Sequence, residues 1–445
     1  MNAAANESVR MSSSFKWALA VLALLALLTT WPMVLGDNDA SRLATVQSLV
    51  ELRTFSIDHL ALGKTGDRVF VNNHFYSEKL PLPAVLGAIV YAPLFLAGLR
   101  LNLGVNAATY LITLIVIKGL WLGGLVAFYD ALGFTRLTDR MRLWLTLALG
   151  IASLYFTWSS TFNNHSVAAS FLIIGFDMLL RARLSGAEKR HLFWAGLCLA
   201  LAGSADAPSG AFYVGGLVYL AADSRMRRAA AYYLFPLLIT VVPTLAVNYS
   251  ISGSLVPVQM VRAYFQYPGS KWLGPKGNEL SGTGINTGRF LAEYVFNSLV
   301  GSRGFILYNP LLFLAIPLLA RECAAGRKFR GEGLLVGIAT AVIVAYYLLY
   351  TNNYGGWSYS VRFFVPLVPL LFFFLHPFLE EPTAARKAVF GALFALSTAI
   401  AAIGVISPWS HLYLSGYPLI ANLMQLREDP GTILVPLAQL VGARP

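Results

Sequence analysis

A succession of long apolar runs, separated by short polar connectors, limits what this chain can become. Clear runs lie near 15–35, 107–131, 143–159, 167–183, 191–205, 209–222, 231–249, 304–320, 333–350, 363–379 and 387–408. A helix needs roughly 20 mostly apolar residues to cross the hydrocarbon core of a bilayer. Only 12% of the 445 residues are charged, against about a quarter in a soluble domain. Lipid is the solvent that such a composition fits.

Charge then sets orientation. The net charge is +12, which in a soluble protein would raise nucleic acid as a partner. Here the basic residues gather in connectors: Arg136, Arg140 and Arg142; Arg181, Arg183, Lys189 and Arg190; Arg225, Arg227 and Arg228; Arg321, Arg327, Lys328 and Arg330. That is the positive-inside pattern, which reports orientation rather than ligand. No nucleic-acid partner is expected.

The apolar stretch 80–104 decides the parity. If it spans, every basic connector faces outward. If it lies along the outer surface or re-enters, all of them face the cytoplasm, together with the N-terminus. The second arrangement satisfies the charge rule at every loop and predicts about eleven spanning helices. The outward segments are then 36–106, 160–166, 250–303 and 351–362. The first run follows Arg10 and Lys16, and no small-x-small cleavage site precedes Asp37; it is expected to be a retained helix. The expected fold class is an all-α integral membrane protein with juxtamembrane helices in a long first outer loop. Residues 1–408 form the polytopic transmembrane domain and 409–445 an outward-facing tail. No inverted repeat is evident. Cys198 lies in an apolar run and Cys323 in a basic loop, so neither a disulfide nor a metal-ligand spacing is expected.

The first outer loop opens with Asp37-Asn38-Asp39, and the apolar residues of 41–53 recur at helical spacing. Asp39 then sits at a helix N-terminus, where the dipole favours a negative charge; an N-cap role explains it equally well. Two carboxylates at this spacing could share a divalent cation, but alone they make a poor cage, and no metal is expected. A second cluster runs from Asn72 through Tyr76 and Glu78 to Lys79. Lys79 could hold a phosphate as a point charge or snorkel to the headgroups. Asn163, Asn164 and His165 cap a helix on the same face. Arg303 and the segment Trp357 to Arg362 lie at outer helix ends, where membrane anchoring is the alternative. Asp206, at an outward hairpin, could face the site, with a structural or solvated role the preferred reading. There is no Gly-x-Ser-x-Gly elbow, no His-Glu-x-x-His and no Walker loop.

This pattern resembles the GT-C superfamily of membrane glycosyltransferases, in the branch of protein O-mannosyltransferases and lipid A aminoarabinose transferases. Asp39-Ala40-Ser41-Arg42-Leu43-Ala44 is similar to the Asp-Glu-x-Arg-Tyr-Ala motif of many bacterial members, with alanine for the glutamate. Glu78-Lys79-Leu80-Pro81 is similar to their Glu-Lys-Pro-Pro, with leucine for the first proline. The resemblance covers roughly 15–380. It implies an inverting transfer of a sugar from a polyprenyl-phosphate-linked donor to a lipid, glycan or protein acceptor, at the outer face of a bacterial cytoplasmic membrane. Membrane lipids would be further partners, and no cofactor beyond the donor is implied. Asp39 would be the general base with Asp37 second, and Lys79, Arg303 and Arg362 would hold the donor phosphate. Arg42, Tyr76, Glu78, Asn164, His165 and Trp357 would line the sugar or acceptor pocket. The rivals are a lipid or glycan transporter or flippase, and a lipid-linked glycan polymerase or ligase. A transporter would place ionisable residues along a path inside its helices, where this sequence has mainly Lys118 and Asp177.

Overall fold

The computed structural model describes residues 12–184, 188–273, 285–432 and 434–442. Arg10, residues 274–284 of the expected outer segment 250–303 and the last three residues of the tail lie outside the described residues. Helices dominate, and among the described residues the one sheet is a two-stranded hairpin.

The chain begins with α1 (Ser13–Thr29) and α2 (Asp37–Glu51), then β1 (Arg68–Val71), β2 (His74–Ser77) and α3 (Pro81–Leu96). Next come α4 (Ala107–Leu132), α5 (Asp139–Ile151), α6 (Leu154–Trp158), α7 (Asn164–Leu184), α8 (Lys189–Ala205), α9 (Gly210–Ala222) and α10 (Ala230–Ser252). After the outer segment follow α11 (Gly288–Leu299), α12 (Leu312–Glu322) and α13 (Arg330–Tyr350). Last are α14 (Arg362–Leu379), α15 (Ala384–Ile406) and α16 (Pro418–Glu428). Local chemistry starts and stops these helices. The side chains of Ser12, Asn106, Thr138 and Thr383 each accept a first-turn N–H, satisfying donors that the helix leaves orphaned. Pro81 opens α3, where its missing N–H costs nothing. Gly253, at φ +68°, closes α10.

The protein is a multi-pass membrane protein. By length and composition, α4, α10, α13, α14 and α15 can each cross a bilayer, and α1, α3 and Ala207–Ala222 are apolar but shorter. The run 143–159, expected as one helix, breaks between α5 and α6. The Leu154 N–H freed there donates to Asn309 Oδ1 at 2.8 Å, so that donor keeps a partner in the core.

The two ends of the bundle differ. The basic connectors meet at one end: Arg183 Nη1 donates to Lys328 O at 3.0 Å, Lys328 Nζ to Phe134 O at 2.6 Å, and the Arg136 N–H to Glu380 Oε1 at 3.2 Å. The loop between α1 and α4 occupies the other. Its start and finish coincide there, because the Asn106 N–H donates to Pro32 O at 2.9 Å. The stretch 80–104 therefore leaves and returns on one side. Tyr91 of α3 donates to Glu51, at the end of α2, at 2.5 Å, pairing the two helices within that loop.

The described residues just after 408 pack on the bundle. The Tyr359 N–H donates to Pro408 O at 2.9 Å, Ser358 bridges to Trp409, and Asn422 Nδ2 donates to Ile403 O and Ser407 O. The 358–361 strip is seated on α15 at Gly404, where a Cβ would stand 2.5 Å from the Tyr359 ring.

Candidate functional site

The hairpin delivers the second polar cluster. Asn72 and Asn73 both have positive φ, 49° and 66°, the requirement of a two-residue type I′ turn; asparagine tolerates it better than most residues. Register then places Arg68 opposite Ser77, so Asp67 and Glu78 leave the two strands side by side. Ser41 of α2 ties both strand ends down, with its Oγ 2.6 Å from Asp67 O and 2.6 Å from Ser77 Oγ. The outcome is an ion cluster on the first turn of α2. Lys79 Nζ is 3.0 Å from Asp67 Oδ2 and also pairs with Glu78. Burial opposes ionisation of Asp67, but Lys79, Arg362 and Lys271 outweigh it and lower its pKa. Burial dominates at Glu78, whose pKa is raised despite Lys79.

Two cavities meet on this cluster. One, about 410 Å³, is walled mainly by apolar residues such as Pro257, Met260, Val342, Ile343 and Phe363. The other, about 560 Å³, is lined by Asp37, Asp67, Lys271, Asn353, Trp357 and His411 among others. Asn38, Glu78, Lys79, Arg362 and Phe363 belong to both walls. Arg362 lies over the Trp409 ring at 4.7 Å, yet its Nε and Nη1 are buried without a hydrogen-bond partner. An unpaired buried guanidinium is costly, and an anion at the junction would relieve it. Arg42, 3% exposed, faces the apolar cavity. It donates to Asn38 O at 3.0 Å and also to Asn38 Oδ1 and Asn164 Oδ1. Burial, then repulsion from Arg362, lowers its pKa to about 10.

The two first-turn aspartates part company. Asp37 lines the polar cavity, accepts from Thr65 Oγ1 and the Gly66 N–H at 3.1 Å each, and pairs with Lys271. Asp39 turns inward and lines neither cavity. It accepts from Thr161 Oγ1 at 2.7 Å and from Trp409 Nε1 at 3.1 and 3.2 Å. Burial pushes its pKa up to about 6, against the Thr161 bond and the Arg42 charge.

The other expected site residues distribute as follows. Asn164 and His165 line the apolar cavity and converge on Asp206, at 3.1 Å and 3.3 Å. Asp206 is thus a buried wall residue, held also by Ser209 Oγ at 2.7 Å. Trp357 lines the polar cavity. Arg303 and Tyr76 are not brought to the junction. Arg303 Nη1 is spent on Gly356 O and Ser358 O, both at 3.1 Å, and anchors the 353–360 loop. Tyr76 borders a small void of about 20 Å³ beneath Lys79. Sequence reasoning missed Asp67, Lys271 and Trp409. The Asn72-Asn73 turn signal, read with its flanking strands, would have placed Asp67 beside Glu78; nothing local marks Trp409.

No family model matches the chain, and no curated protein matches it. Solved structures do. The apo structure of ArnT from Cupriavidus metallidurans is 14% identical, covers 97% of this chain and 76% of its own, with TM-score 0.55. ArnT bound to undecaprenyl phosphate is 13% identical at TM-score 0.56, covering 97% and 78%. The Archaeoglobus fulgidus oligosaccharyltransferase tethered to an acceptor peptide is 14% identical at TM-score 0.52, covering 96% of this chain and 55% of its own. With its helical bundle and the returning loop between α1 and α4, the chain shares the fold of these solved structures, the fold that the sequence resemblance implied.

Proposed function

We propose that this chain is an inverting glycosyltransferase that moves a sugar from a polyprenyl-phosphate-linked donor to an acceptor outside the cytoplasmic membrane. The observation that carries it is the shared wall: an apolar cavity and a polar one meet where Arg362 keeps two buried donors unpaired. The ArnT structure of the same fold that holds undecaprenyl phosphate supports the donor class.

In this reading the polyprenyl chain fills the apolar cavity and its phosphate meets Arg362 and Lys79, with Arg42 behind them. Arginine suits bidentate phosphate contact. The acceptor hydroxyl enters from the polar cavity and attacks the anomeric carbon from the face opposite the phosphate. The anomeric C–O bond breaks with its electron pair leaving on the phosphate, where the cations hold the developing charge. The hydroxyl proton passes to a carboxylate in the polar wall. We assign that role to Asp37 rather than Asp39, because a general base must come within hydrogen-bond reach of its proton and Asp39 lines neither cavity.

The protein in lipid nanodiscs should bind undecaprenyl phosphate. Arg362→Ala and Lys79→Ala should each weaken that binding at least tenfold. Unchanged affinity in both variants would remove the phosphate site and the reading with it.

A further inference from the structure

The polar cavity has a neighbour. A third cavity, about 360 Å³, lies between the end of α15 and α16, and Leu35, Trp409 and His411 belong to both walls. We propose, resting on the glycosyl-transfer reading above, that the acceptor is an uncharged saccharide chain laid across both cavities on a shelf of Trp357, Tyr413 and Trp409.

Three features carry this. The first is aromatic surface left in water. Trp357 and Tyr413 are 59% and 71% exposed, their ring centroids are 6.3 Å apart, and His411 packs on Tyr413 at 5.5 Å. The faces of such rings carry negative potential and accept the polarised C–H groups of a pyranose. Large exposed aromatics beside a cavity mark a ligand surface. The second is hydrogen-bonding capacity without a partner: Gln425 borders the third cavity, and its Oε1 is buried with nothing to accept from. A sugar hydroxyl supplies the missing donor. The third is charge. The third cavity is lined by Glu428 and Asp429 and, among the described residues, by no lysine or arginine. Such a wall accepts from hydroxyls and repels phosphorylated or acidic acceptors. A peptide would want a strand edge or an apolar groove, and neither hairpin strand lines these cavities.

The test uses cells of the source organism carrying a null allele or Trp357→Ala/Tyr413→Ala. Mass spectrometry follows the polysaccharide, protein and lipid fractions and the polyprenyl-phosphate-linked sugar pool. The null should lack one sugar substituent on a neutral saccharide and accumulate donor lipid. The double variant, at wild-type abundance, should lose that substituent at least tenfold while binding undecaprenyl phosphate within twofold of wild type. A substituent missing from a protein or an anionic lipid instead, with donor lipid accumulating, would keep glycosyl transfer and overturn the saccharide acceptor. Wild-type modification in the double variant would overturn the shelf. No missing sugar and no change in donor lipid would bring down the glycosyl-transfer reading itself.

Discussion

The two cavities share a wall and little else. The one of about 410 Å³ draws much of its lining from α13 and the 257–260 turn, where most side chains other than Gln259 are apolar. The one of about 560 Å³ is built mainly from loops and helix starts and carries Asp37, Asp67 and Lys271. A polar lining costs little where water already enters, whereas the same groups inside hydrocarbon must be paired. In the proposed reaction the lipid takes the mainly apolar side and the hydroxylic acceptor the side that carries more charges. The charges lie on the boundary, with Lys79 and Arg362 belonging to both.

The largest effect should come from the polar side. Asp37→Asn is expected to cut sugar transfer by roughly 10²–10⁴-fold, the usual worth of a positioned general base, with undecaprenyl phosphate binding unchanged in nanodiscs. If Asp39→Asn gave that loss and Asp37→Asn did not, the division between a cavity-facing and an inward-facing carboxylate would be reversed. Filling the apolar side tests the other half. Val342→Trp should raise KM for a full-length polyprenyl donor about tenfold, or 1.4 kcal/mol, and leave a short-chain analogue nearly unaffected. Equal effects on both donors would show that the chain lies elsewhere.

Asp39 sharpens the comparison through pH. Its folded pKa of about 6 lies above the ordinary 3.8, so the fold favours the neutral acid. That contribution is fully present below about pH 3.8 and is lost as pH rises through about 6. The shift corresponds to on the order of 3 kcal/mol across the window. Asp39→Asn removes the titration, so the wild type's melting temperature relative to the variant should fall from pH 5 to pH 8. A flat difference would mean that the carboxylate is not desolvated behind Trp409. The smallest effect is expected at Arg303, which anchors the 353–360 loop from outside the junction. Arg303→Ala should raise acceptor KM a few-fold by loosening that loop without changing donor binding; a loss of donor affinity would return Arg303 to the phosphate site.

Much of this was legible in the chain. The apolar runs announce helices because a bilayer leaves backbone polar groups no partner outside the segment. The positive-inside rule turned 80–104 back toward its starting face, and the Asn106–Pro32 hydrogen bond closes that loop. The elements Asp37 to Arg42 and Glu78-Lys79 stood out because several polar groups sit together within a few residues. The surroundings of Arg303 were not legible, because an arginine at a helix end looks the same whether it faces a cavity or two carbonyls.

What the sequence determined by itself, then, is what short range controls: where apolar helices run, how they are capped, the turn that Asn72-Asn73 permits and the clustering of basic connectors. Tertiary structure decided which of two aspartates two residues apart faces a cavity. It set Trp409 against Asp39 across 370 residues of chain and left Arg362 unpaired at the meeting of two cavities. These are relations between side chains brought together only by packing, and no local pattern encodes the direction in which a buried carboxylate turns.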